Sequence, residues 1–312
     1  MIGCWCVIPT LSLGVIPTLS LALFAAMPAS WPSRAAGPAA GQARLTRDST
    51  AISAMLDRGA VDSAFAAAHV MVAADSPLQR VPFAALIPSG AGDTRMVSRA
   101  IVSMVPSASL LAELRSRRPT TGRRLFAMAG SPGPGRAPLS GAKREVEALA
   151  TNFRDVDEWF GDARSPAPLT PGRLRAYRAL HFAGHAHVDD QLPWRSGLAS
   201  AFLAAGSSAV VASLWPVEDR ATERLMRRFY DGLARDLTAD RALAEAQLAL
   251  TRDPSTAAPF YWAGFVLVGD GRATLPLARR PFPIPRTGAW AIVFASLAVI
   301  AAWVGWPRRR SR

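Results

Sequence analysis

YRALHFAGH (residues 177–185), SGLASAFLAAG (196–206) and AVVASLW (209–215) follow one another closely, and their order decides the fold. The first is apolar and β-prone, the second is an alanine-rich helix closed by Gly206, a natural C′ residue, and the third is β-branched. Two strands flanking a helix, both apolar enough for burial on two faces, belong to a layered α/β domain with a largely parallel sheet.

The pattern extends outward from this unit. Upstream, strands are predicted at 66–74, 97–105 and 124–130, and helices at 107–118, with Ser107 as N-cap, and at 141–153. The latter helix carries Val146, Leu149, Ala150 and Phe153 on one face. Downstream, helices are predicted at 218–235 and 239–252 and a last strand at 260–269. The glycine-rich stretch Gly130–Gly135 stands where a phosphate cradle would. Pro132 and Pro134 remove the N–H donors such a cradle needs, so it reads as a surface loop.

The chain has 312 residues, half of them hydrophobic, and a formal net charge of +13. Disordered and collagen-like classes are excluded. The charge is nearly all arginine, Lys143 being the one lysine, and it is scattered along the chain. A nucleic-acid surface would gather it on one stripe, so no nucleic-acid partner is expected. The arginine and alanine excess points to a GC-rich, bacterial coding sequence. Cys4 and Cys6 are the only cysteines, which excludes a disulfide scaffold.

Both chain ends are apolar. Residues 288–306, GAWAIVFASLAVIAAWVGW, carry no charge, are flanked by tryptophans and suit one bilayer crossing. A Pro/Arg-rich linker (276–287) precedes this span and a basic tail (307–312) follows it. The expectation is a single-pass membrane protein. Arginine counts on the two sides barely separate the orientations, with the cytoplasmic side slightly favoured for the soluble domain. Residues 1–27 read as an atypical signal or anchor, interrupted by Pro9 and Pro17, with VIPTLSL occurring at 7–13 and again at 15–21. Residues 28–44 read as a linker and 45–275 as the folded body.

Three of the four histidines lie in LHFAGHAHVDD, at 181, 185 and 187. His-x-His-x-Asp at 185–189 has too few ligands around it for a two-metal site, and no metal or other cofactor is expected. A histidine at the carboxyl end of a parallel strand suits a general base, which then needs a nucleophile within reach. Ser213 ends a neighbouring strand, but no nucleophile-elbow pattern surrounds it.

From about residue 75 to 271 the sequence resembles the CHAT domain family, a caspase-like module. SPLQRVPFAAL (76–86), VPSASLLAEL (105–114), LSGAKREVEAL (139–149), LHFAGHA (180–186), GLASAFLAAGSSAVVASLWPVEDRAT (197–222), FYDGL (229–233), ALAEAQLAL (242–250) and PFYWAGFVLVGDG (259–271) carry the resemblance in order. It implies a caspase-like three-layer sandwich with a mostly parallel central sheet. It also implies that His185 takes the general-base position, with His181 as the more buried strand histidine before it. Trp215 and Asp219 fall on the edge where family substrates bind, a Trp packing the domain edge and an Asp in a first helical turn being the alternative reading.

The family's strand with a nucleophilic cysteine belongs between the histidine strand and the GLASAFLAAG helix. Here Asp190–Ser196 runs almost directly into Gly197. A cysteine peptidase without its thiolate has lost the covalent step. The expectation is therefore a catalytically dead, membrane-tethered module with a protein or peptide partner, folding with a narrowed sheet. The alternatives are an active cysteine endopeptidase using His185 and a thiol from Cys4 or Cys6 or from a partner chain, and a degraded gene product.

Overall fold

The computed structural model describes residues 3–8, 68–73, 79, 81–87, 94–117, 122–130, 140–161, 171–174, 176–184 and 202–280. The remainder of 1–27, the 28–44 linker, the loop after Gly130, His185, His187, the 190–201 stretch and the 288–306 span lie outside them. The chain divides into two units, residues 1–279, which carry the fold, and residues 280–312.

Its strands are β1 (Gly3–Ile8), β2 (His69–Ala73), β3 (Ile101–Val105), β4 (Arg124–Gly130), β5 (Val156–Gly161), β6 (Tyr177–Gly184), β7 (Ala209–Ser213) and β8 (Phe265–Gly269). The helices are α1 (Ala108–Ser116), α2 (Ser140–Asn152), α3 (Pro171–Leu174), α4 (Asp219–Leu233) and α5 (Ala239–Thr251). All eight strands form one sheet in the order β2-β3-β8-β7-β1-β6-β4-β5. Four of its pairings are parallel and three, β1 with β6, β1 with β7 and β7 with β8, are antiparallel. The domain is thus mixed α/β with a mostly parallel sheet. Among the described residues no helix is long and apolar enough to cross a membrane.

Period-two alternation divides the strands between two cores. Ala179 and Ala183 of β6, Val211 of β7 and Phe265 of β8 pack with α2, α4 and α5. Leu180, Phe182, Val210 and Val268 pack on the opposite face with Leu114 of α1 and with Phe202 and Leu203. α4 earns its place through Ala221, Leu225, Phe229 and Leu233, all fully buried, whose spacing of four gives one helix face. Ser107 caps α1 by accepting the Leu110 N–H at 3.1 Å, a bond worth ~1 kcal/mol.

Three features differ from the sequence reading. The sheet is not narrowed, because β1 lies between β6 and β7 and pairs with both. β5, VDEWFG, was not expected; its acidic residues hide an edge strand of half-buried and exposed positions. The stretch at 260–269 is a strand only from Phe265, because Pro259 starts a 3-10 turn that buries Phe260.

β8 ends at Gly269 with φ +112°. The Ser208 carbonyl accepts the Asp270 N–H at 2.7 Å and so approaches closely, and a Cβ on Gly269 would lie 2.2 Å from that oxygen. Gly269→Ala therefore meets both strain and collision. It is expected to destabilise the domain by about 2 kcal/mol or more, read as a lowered urea midpoint with unchanged slope.

Candidate functional site at the β6 strand end

β6 alternates buried Tyr177, Ala179, His181 and Ala183 with half-buried residues and stops at Gly184. The expected general base, His185, is the next residue and lies outside the described ones. What the structure describes at this strand is the environment of His181.

His181 is fully buried. Its Nε2 lies 3.3 Å from Glu145 Oε1 of α2, and its Nδ1 lies 3.1 Å from the Tyr230 hydroxyl of α4. The Tyr230 ring meets the imidazole edge-on at 5.6 Å. One proton arrangement satisfies both bonds with a neutral imidazole: Tyr230 O–H donates to Nδ1, and Nε2–H donates to the Glu145 carboxylate. Glu145 itself is 3% exposed. A buried carboxylate needs such donors, and the network in turn ties α2, β6 and α4 together. Glu145 escaped the sequence reading because its neighbours Arg144 and Glu147 are exposed, as on a solvated face. The i, i+4 relation to Leu149 was the available signal.

β1 runs along this strand. Its register sets Cys4 opposite Ala183 and Cys6 opposite His181 on one side, and Cys6 opposite Val211 on the other. Directly opposed residues of an antiparallel pair share a face. Both cysteines thus occupy the rows of β6 that include His181, at the strand's carboxyl half. Sequence reasoning had placed them in a separate hydrophobic segment, since six residues with one Cys-x-Cys alternation are too few to mark a central strand.

Trp215 follows β7. It is buried, its indole N–H donates to the Phe260 carbonyl at 3.0 Å, and its ring stacks on Phe260. A Cβ on Gly264 would come within 2.7 Å of that ring, so the glycine makes room for the tryptophan. Asp219 stands half-buried in the first turn of α4. Ser213, at the end of β7, is buried and paired opposite Phe265. No group of three or more His, Cys, Asp or Glu residues suited to a metal ion occurs among the described residues.

A cavity of about 560 Å³ is lined by Arg124, Phe126, Asp157, Arg173 and Tyr177 among others, at the amino ends of β4 and β6 and the far end of the sheet from Gly184. There the Tyr177 hydroxyl donates to Asp157 at 2.8 Å, and burial followed by that carboxylate holds its phenol above the ordinary value. The same carboxylate pairs with Arg124 and raises its pKa.

The CHAT domain family model matches the chain in two segments, residues 46–199 and 193–270. Among curated proteins, Tetratricopeptide repeat protein 28 of Homo sapiens is 42% identical over 73 residues, and its Mus musculus counterpart is 39% identical over 73 residues. Each alignment covers 23% of this chain and 3% of the relative, so the likeness is to one small part of a far longer protein.

The His181 network is expected to be structural. Tyr230→Phe removes the donor facing Nδ1 inside a closed core and should cost about 1–2 kcal/mol in chemical denaturation.

Proposed function

The chain belongs to the CHAT domain family, and we propose that it works as a non-catalytic caspase-like module, tethered to a membrane, that binds a protein or peptide partner. One observation carries this reading. Neither family-matched segment contains a cysteine, because Cys4 and Cys6 both precede residue 46. The family's nucleophilic strand thus has no counterpart in the matched sequence, and His185 is left as a general base without the thiol it would activate. Asp219, half-buried, enters as the partner-facing residue of that edge, and the buried Trp215 supports the edge from inside through its bond to the Phe260 carbonyl. The 288–306 span supplies the tether.

A second reading is an active cysteine endopeptidase. Its support is the register that sets Cys4 opposite Ala183, one pair inward of Gly184 and so near the strand end that His185 follows.

Purified full-length protein, incubated with thiol- and serine-reactive activity probes and with basic and acidic peptide substrates, separates the two. The expected outcome is no activity-dependent labelling and no cleavage, unchanged in His185→Ala. Cleavage lost in both His185→Ala and Cys4→Ser would establish the second reading instead. Cleavage lost in His185→Ala but kept in Cys4→Ser would turn attention to Cys6 and Ser213.

A further inference from the structure

β1 lies outside both family-matched segments, yet it holds a central place in the sheet. That place cannot stand empty. All five residues of β7 are buried, and β6 is buried at every second position. Without a strand between them, two rows of backbone N–H and C=O groups would lose their partners inside the domain.

The slot also states what it accepts. In register, Ala183 and His181 of β6 stand opposite Cys4 and Cys6, and Val211 of β7 stands opposite Cys6. Phe182 and Leu180 stand opposite Trp5 and Val7, Val210 stands opposite Val7, and Gly3 opposite Gly184 and Ile8 opposite Ala209 are the end pairs. Pairing ends at Ile8, and the next residue, Pro9, has no N–H to continue a ladder. The ligand is therefore a short apolar extended segment with small residues opposite Ala183 and His181, large ones opposite Phe182 and Leu180, and a proline after its last paired residue.

A second segment of this chain meets the description. The repeat that gives VIPTLSL at 7–13 gives it again eight residues later, at 15–21. Moving the chain by eight places Leu11–Ile16 in the positions of Gly3–Ile8. Ser12 and Gly14 then replace Cys4 and Cys6, Leu13 and Val15 replace Trp5 and Val7, Ile16 replaces Ile8 and Pro17 replaces Pro9, while at the end pair Leu11 replaces Gly3. An even shift keeps every residue on its face, whereas an odd one would invert them all.

We propose that the slot between β6 and β7 is a strand-acceptor site with two donors in the same chain, residues 3–8 and residues 11–16. Occupation by the second donor withdraws both thiols from the sheet.

Two variants of the full-length protein test this, each read by hydrogen exchange of the β6 and β7 amides. Deletion of residues 3–10 joins Ile2 to Leu11 and leaves only the second donor; β6 and β7 should keep their protection. Trp5→Asp disables the first donor within the complete chain. Its β6 and β7 amides should also stay protected, while Cys4 and Cys6 alkylate about tenfold faster or more than in the unaltered protein. Trp5→Asp combined with Leu13→Asp should lose protection of both strands. The proposal is overturned if the deletion abolishes β6–β7 protection, if Trp5→Asp loses it as fully as the double variant, if its thiols remain slow, or if the double variant keeps the strands protected.

Discussion

The backbone of β7 sets the constraint on which the rest of the domain depends. It is buried along its whole length between two apolar layers, so both of its edges must be paired. β8 satisfies one edge from Phe265 to Gly269, and β1 satisfies the other. Among the described residues, the two halves of the sheet, β2-β3-β8-β7 and β6-β4-β5, are joined through β1. The continuity of the central layer, and with it the relation between the two sets of helices, therefore rests on six residues at the start of the chain.

Side chains reinforce this joint from the helical layer. Glu145 of α2 and Tyr230 of α4 both reach His181, the β6 residue opposite Cys6. The imidazole can serve two partners because its two nitrogens play opposite roles, one accepting and one donating. A leucine at 181 would fill space but would leave the Glu145 carboxylate without that donor in a closed core. The buried network specifies how α2 and α4 sit on β6, and apolar packing alone specifies this less sharply.

Most of the element order was legible because apolar strands and amphipathic helices of ordinary length carry strong periodic signals. β4 and β6, α2 and its face, the Ser107 cap and the Gly206 turn were all read from local pattern. β5 was missed because Asp157 and Glu158 are tolerated on a sheet edge, where one side of the ladder meets water. β1 was missed for a different reason. Its role comes from a vacancy more than 160 residues away, and nothing in GCWCVI itself records that vacancy. The Glu145–His181–Tyr230 network was similarly non-local: three residues from three elements meet only once the helices are docked. The family resemblance implied a strand lost between β6 and the helix that follows, but nothing in it pointed to residues 3–8.

The same joint links the two functional readings. A covalent nucleophile must be held by an element whose position is fixed to within a fraction of an ångström relative to its base. In this chain the only thiols lie on the strand that closes the sheet from outside the family-matched sequence. On the proposed exchange, an eight-residue shift would leave the sheet complete while setting Ser12 and Gly14 on the rows of Cys4 and Cys6. Sheet integrity would then be independent of whether a thiol stands near the end of β6. Selection for a stable fold would preserve small residues at the second and fourth positions of both donors and large ones at the third and fifth without preserving either cysteine. That separation is what a binding module requires and what a cysteine peptidase could not tolerate.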